Sequence, residues 1–427
     1  VCPLPDLQLE EMFASIRRRL LMDLDEIKPP PSLIEFLSTL SLHCFTNEYV
    51  YFETERESEL IRTLEAVISE AIEVALQPRI TDVLLLACYR PLHLYSWCER
   101  LETLDQLPAV RGRLIEEPLA ERVLAKNMPV LADVEDEVSR KVREQYEESP
   151  YPRWVKLRIP AVAKSVAKFC DDAKLRIHLN NIKDVSSPSI LIAGCGTGQH
   201  SIGVASRFEN SQIRAVDLSR TSLAYAQRKT TELGISNIEY LQGDILMLDR
   251  LQQEFDVIES VGVLHHMDDP MLGWRVLVDL LTTGGLIKIG LYSELARRSI
   301  VKVREEIASL QLGASEAEIR RYRLSLANSD NPIHQQVSSY PDFYSLSMLR
   351  DAIFHVKEHR FTLPQIEGCL AHLGLKFCGF ESWDIVGKFK DCVGEEADIY
   401  DLSLWHEFEE INPNIFSGMY QFWCQKI

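Results

Sequence analysis

Three glycines in five residues mark the run SILIAGCGTGQH, Ser189 to His200, where an apolar stretch gives way to a polar one. Ile190 to Ala193 read as the end of a strand covered on both faces. Gly194, Gly196 and Gly198 then permit positive φ and a close approach of backbone to ligand. A helix opening near Gln199 would offer unpaired N–H groups to a carboxylate or ribose. The chemistry implied is the holding of a nucleotide-like cofactor. Asp217 closes a predicted strand, Gln212 to Val216, at a spacing from Gly194 suited to binding both hydroxyls of a ribose. Asp244 follows a short strand, Asn237 to Tyr240, and His265 and His266 follow another, Phe255 to Ser260, where a base or acceptor-positioning group would lie.

The dinucleotide fingerprint G-x-G-x-x-G would need glycine at 199, where the chain has Gln199. The spacing G-x-G-x-G favours S-adenosylmethionine instead. With Asp217 and Leu241-Gln242-Gly243-Asp244-Ile245 in order behind the loop, the chain resembles the class I S-adenosylmethionine-dependent methyltransferases. That resemblance implies that Gly194, Cys195, Gly196, Gly198, Asp217, Leu218, Asp244, Ile245 and Val261 hold the cofactor, with Asp244 at the adenine amino group and Ile245 on the ring. Val261 to Pro270 looks like the loop beneath the transferring methyl group in ubiquinone-type methyltransferases. Thr283-Gly284-Gly285 would turn the chain into strand five, Leu286 to Tyr292. The fold expected is α/β: a Rossmann-like, seven-stranded class I methyltransferase sheet with an N-terminal all-helical domain and a helical insertion after strand five. Leu363 to Gly374 reads as a helix, Leu375 to Trp383 as strand six, and Gly418 to Gln425 as strand seven, antiparallel beside strand five.

A sulfonium methyl carbon is already activated, so such an enzyme aligns a nucleophile with the C–S bond and excludes water. A base is needed only if the acceptor arrives protonated. His265 and His266 are the candidates for that role, with backbone-satisfying imidazoles as the equal alternative. No Asn/Asp-Pro-Pro-Tyr/Phe loop stands at this position. That disfavours planar exocyclic amines as acceptors and leaves oxygen, carbon and lysine-type nitrogen open.

Arg143 to Trp154, ending in QYEESPYPRW, carries two stiffening prolines and three large aromatic rings. It reads either as a lid in which Tyr146 or Arg153 holds the methionine carboxylate, or as an interdomain linker. His355-Val356-Lys357-Glu358-His359 spells H-x-x-E-H, a zinc motif, but no third ligand can be named and no metal is expected. Between Glu294 and Arg323 basic and acidic residues interleave; solvated helices with i,i+4 ion pairs are favoured over an acidic-substrate dock.

Length and composition set the frame. At 427 residues and 46% apolar, the chain can fill more than one core. The expected domains are a helical one over 1–140, with a break at Pro29 to Pro31, a linker or lid over 141–183, a cofactor core over 184–293, a helical substrate cap over 294–362, and completion of the sheet over 363–427. A net charge of −18 argues against nucleic acid as a partner. The longest apolar stretch, Val83 to Ala87, is too short to cross a bilayer, and ten cysteines without C-x-x-C pairs suit reduced thiols. A cytoplasmic enzyme with no membrane partner is therefore expected, with an unidentified small-molecule or protein acceptor and possible homodimerisation through the helical domain. The alternative is a cofactor-binding regulatory or scaffolding protein acting through that domain. The motifs QYEESPYPRW, GLIKIGLYSELARR and GMYQFW are similar to a bacterial group of class I methyltransferases often fused behind tetratricopeptide repeats; no such repeat is evident, so any such module is expected upstream of Val1, and the first residues given show no signal-peptide pattern. In architecture the chain also resembles bacterial lysine methyltransferases that modify outer-membrane proteins.

Overall fold

A computed structural model describes residues 4–23, 30–148, 150–160 and 162–427. Pro29 and Ser149, parts of the expected helix break and linker, lie outside the described residues. Seven strands form one sheet: β1 (Ser189–Ala193), β2 (Gln212–Asp217), β3 (Ile238–Gln242), β4 (Phe255–Val261), β5 (Leu281–Leu291), β6 (Leu375–Phe380) and β7 (Tyr420–Lys426). Their spatial order is β3-β2-β1-β4-β5-β7-β6. β1 to β5 run parallel, and β7 is antiparallel to both β5 and β6. The expected seven-stranded α/β sheet is therefore present, with its last strand antiparallel beside β5 as expected.

The two-residue period of a strand explains why the sheet has a core on each face. Ile190 and Ile192 join Val257, Leu286 and Trp423 on one side, whereas Leu191 and Ala193 join Ile258, Ile287 and Phe422 on the other. Two strand limits differ from the sequence reading. β5 begins at Leu281 and runs through Gly284-Gly285, because Phe255 pairs with Leu281 before the β4–β5 register shifts. β6 stops at Phe380, since Ser382 accepts the Ile385 N–H and starts a helix at Trp383.

The chain divides into two compact units. One comprises Leu124–Tyr151, Lys156–Val301 and His355–Ile427 and contains the sheet; the other comprises Val1–Val123, Pro152–Val155 and Lys302–Phe354 and is helical. Two expected boundaries change accordingly. The helical region ends at Val123 and not near 140, because the following segment pairs with the edge of β3: Gln242 N–H donates to Pro129 O at 2.8 Å and Leu131 N–H to Gln242 O at 2.8 Å. This covers an otherwise open sheet edge. The expected substrate cap, 294–362, is not one element, since Lys302–Phe354 belong to the helical unit.

Polar contacts within the helical unit explain that membership. Glu48 accepts Ser347 N–H at 2.6 Å and the Ser345 hydroxyl at 2.8 Å, so it caps the helix Leu346–Phe354 from a remote segment. Arg320 donates to Tyr49 O at 2.7 Å. Arg323, 3% exposed, forks onto both carboxylate oxygens of Glu10 at 2.5 and 2.6 Å and donates to Phe343 O. Within the basic stretch, then, Arg320 keeps an i,i+4 pair with Glu316 while Arg323 is buried structure. Removing one partner of a buried pair strands the other. Glu10→Ala should lower unfolding free energy by about 3 kcal/mol, read as an earlier urea transition, and Arg323→Met should cost less than Glu10→Ala.

Candidate functional site

The site is built at the carboxyl ends of β1, β2 and β4. Gly194, Gly196 and Gly198 adopt φ of +80°, +50° and +83°, and the helix Gln199–Ala205 follows with Gly198 as its cap. Space forbids side chains here as firmly as φ does. A Cβ on Gly194 would lie 2.2 Å from Val263 Cγ2, and one on Gly198 would lie 2.6 Å from Ala226 Cβ. The loop is thus pressed between the β4 loop and the helix Arg220–Glu232. Cys195 is buried within it, and burial pushes its thiol well above the ordinary range, so it packs without reacting.

Asp217 ends β2 and braces the loop. Its Oδ2 accepts Gly196 N–H at 2.7 Å and its Oδ1 accepts Ser219 N–H at 3.0 Å. Burial, aided by nearby Glu147, nonetheless holds its pKa above the usual carboxylate value. Leu218 accepts the Gln242 side-chain amide at 3.0 Å. Asp244, 4% exposed, caps the turn that follows by accepting Leu246 N–H, and Ile245 is buried beside it. Val261 closes β4 opposite Gly290. The glycine loop, Asp217 and Asp244 therefore come together as the ends of neighbouring strands.

Tyr146 belongs to the same unit. Its carbonyl accepts the hydroxyls of Ser219 and Thr221, and its ring stands 6.4 Å from Tyr151 and 6.1 Å from His355. The Tyr151 carbonyl lies over Gly196, 3.0 Å from where a Cβ would be. Glu147, not anticipated from the sequence, accepts Arg220 N–H at 2.7 Å and Thr221 N–H at 3.3 Å and so caps the helix Arg220–Glu232. Arg153 departs from expectation. It belongs to the helical unit, 3.6 Å from Glu48 and over the Phe45 ring, where a carboxylate already answers its charge.

Beyond β4 lies a cluster of rings. His265 is fully buried, its ring centroid 3.9 Å from Tyr292 and 4.3 Å from His266. Neither of its ring nitrogens makes a hydrogen bond of acceptable geometry. Burial, then His266, Arg297 and His355, push its pKa well below the usual imidazole value, opposed by the Gly290 backbone. His266 Nδ1 lies 2.8 Å from Lys357 O, and its ring stacks on His355 at 3.7 Å. The H-x-x-E-H side chains go separate ways. His355 meets His266, Glu358 pairs with Arg297, and His359 bonds to Asp268 O. That motif therefore forms no shared ligand set of its own. Arg297 also lies over Tyr292 at 3.9 Å.

Residues 190–285 match the family model described as a methyltransferase domain. Among curated proteins the chain is 32% identical over 246 residues to an uncharacterised protein of Synechococcus sp., covering 53% of this chain and 58% of that one. It is 30% identical over 138 residues to malonyl-[acyl-carrier protein] O-methyltransferase 1 of Ilyobacter polytropus, covering 32% of this chain and 48% of that protein. The chain thus spans about half the length of these relatives. Among solved structures, PKMT2 of Rickettsia typhi in complex with AdoHcy aligns at a TM-score of 0.46 and 18% identity, covering 63% of this chain and 55% of that one. Among the described residues no helix is long and apolar enough to cross a membrane.

Two outcomes test this geometry. Gly198→Ala combines an unfavourable φ with a clash, so it should destabilise by about 1–3 kcal/mol, measured by chemical denaturation. His265 stays neutral when folded, whereas an unfolded imidazole takes a proton below about pH 6.5. Stability should fall as pH drops below that point, and in His265→Gln the slope of stability against pH should be shallower by up to one proton.

Proposed function

We propose that the protein transfers a methyl group from S-adenosylmethionine to a small-molecule or protein side-chain acceptor. The observation that carries this reading is the left-handed glycine loop tied by Gly196 N–H to the Asp217 carboxylate, inside a stretch that matches a methyltransferase domain. The residues present fit that cofactor. Asp217 and Asp244 sit at successive strand ends as carboxylates for ribose and adenine amino groups, and Ile245 offers an apolar contact for the ring. When bound, the cofactor supplies a methyl group on a positively charged sulfur.

The chain's own residues position and exclude. Gly194 to Gly198 and Leu218 shape the cradle, Val261 closes it from β4, and the Tyr151 carbonyl lies over Gly196 with the Tyr146 ring 6.4 Å from that of Tyr151. Neutral His265 offers one ring nitrogen to accept and one to donate. A buried group left so costs about 1–3 kcal/mol, which supports its use in holding an acceptor's proton, with the His266 ring edge-to-face beside it. Nine cysteines among the described residues are unpaired, which supports action in the cytoplasm. The narrower kinship, to methyltransferases often found behind tetratricopeptide repeats, rests on the motifs QYEESPYPRW and GMYQFW.

Calorimetric titration with S-adenosylhomocysteine should show saturable one-to-one binding, and Asp217→Ala should weaken it tenfold or more. Labelled methyl from S-adenosylmethionine should then reach a defined lysate fraction. No binding by the native chain sinks the reading, and binding without transfer to any fraction favours a regulatory or scaffolding role.

A further inference from the structure

The helix Gln199–Ala205, which carries the end of the glycine loop, is short and has no side-chain cap. Its placement depends on something outside itself. His200 at its start and Arg207 just past its end converge on one carboxylate: His200 Nε2 lies 2.7 Å from Glu259 Oε2, and Arg207 donates to Glu259 Oε1 at 3.1 Å. Glu259 is a fully buried residue of β4, in register with Ile192 of β1 and Lys288 of β5. It therefore sits one residue short of the point where β1 releases the loop.

The carboxylate is itself fixed from behind. Lys288 stands 3.8 Å from Glu259 and 2.7 Å from Glu381, and Glu381 accepts the Trp423 indole N–H at 3.0 Å. Buried ion pairs contribute little net stability relative to apolar packing, and their value lies in fixing one arrangement among several. A carboxylate that grips both ends of a two-turn helix fixes its rotation and height against the sheet. We propose that this clamp, with His200 as its loop-side arm, holds Gly196 to Gln199 in the cofactor-binding conformation. His200 is then a positioning residue. The inference rests on the cofactor reading above but has a readout that does not need the cofactor.

The test compares the native chain with His200→Ala and with His200→Gln, whose side-chain amide can still donate to Glu259. Two quantities are read: calorimetric affinity for S-adenosylhomocysteine, and hydrogen exchange at the amides of Gly196 and Gly198 in ligand-free protein. His200→Ala should weaken binding at least tenfold and speed exchange at least fivefold. His200→Gln should return both to within threefold of the native chain. The clamp is overturned if His200→Ala stays within twofold of the native chain in either quantity, or if His200→Gln is as impaired as His200→Ala. Should the native chain not bind S-adenosylhomocysteine, the cofactor reading fails, and exchange alone decides whether His200 orders the loop.

Discussion

A carboxylate placed inside an apolar sheet face must be answered on the spot, because several kcal/mol of lost hydration otherwise oppose folding. Glu259 imposes that demand. Its alternation with Val257 puts it on the same face as Ile192, Leu286 and Trp423, where it is fully buried. Arg207, His200 and Lys288 answer it, and together they hold its pKa far below the usual carboxylate range despite burial. Because Lys288 pairs across β5 with Trp423 of β7, and Glu381 follows the end of β6, the polar row reaches the antiparallel edge of the sheet. One buried charge is thereby linked to the helix over the sheet and, through Lys288 and Glu381, to β5 and the end of β6.

Carboxylates also act at long range as helix caps. Glu147 supplies the N–H acceptors for the helix Arg220–Glu232, and Glu48 does the same for the helix Leu346–Phe354. In both cases the acceptor comes from a distant part of the chain, so a need usually met locally becomes a tertiary constraint. The Asp217 carboxylate works in the same manner on the loop amide of Gly196. Backbone donors, more than side-chain packing, thus register the loop against β2.

What the sequence disclosed follows from the range of the interactions involved. The apolar runs at Ile190 to Ala193 and Phe255 to Ile258 are local and periodic, so β1 and β4 were legible, as was the order of Gly194, Asp217, Asp244 and His265 along the chain. Gly284-Gly285 signals a turn, yet the sheet continues through it, because pairing with Phe255 outweighs the local preference. Arg153 among aromatic residues suggested a lid; its partner Glu48 lies about a hundred residues earlier and could not be inferred from spacing. Glu259 within a strand and Lys288 within the next were visible signals: charges at positions that should face a core. They lacked meaning only because register across a sheet is not written in either strand alone.

The helical unit is discontinuous in the chain, and this has a consequence during synthesis. Glu10 and Glu48 emerge early, but Arg323, Ser345 and Ser347 follow only after most of the sheet unit has been made. At ribosomal rates of about 5–20 residues per second, that interval is roughly fifteen to sixty seconds. Until then Glu10 lacks its Arg323 partner and Glu48 the Ser345 and Ser347 donors that it caps, so the helical unit is completed only after most of the sheet unit has been made.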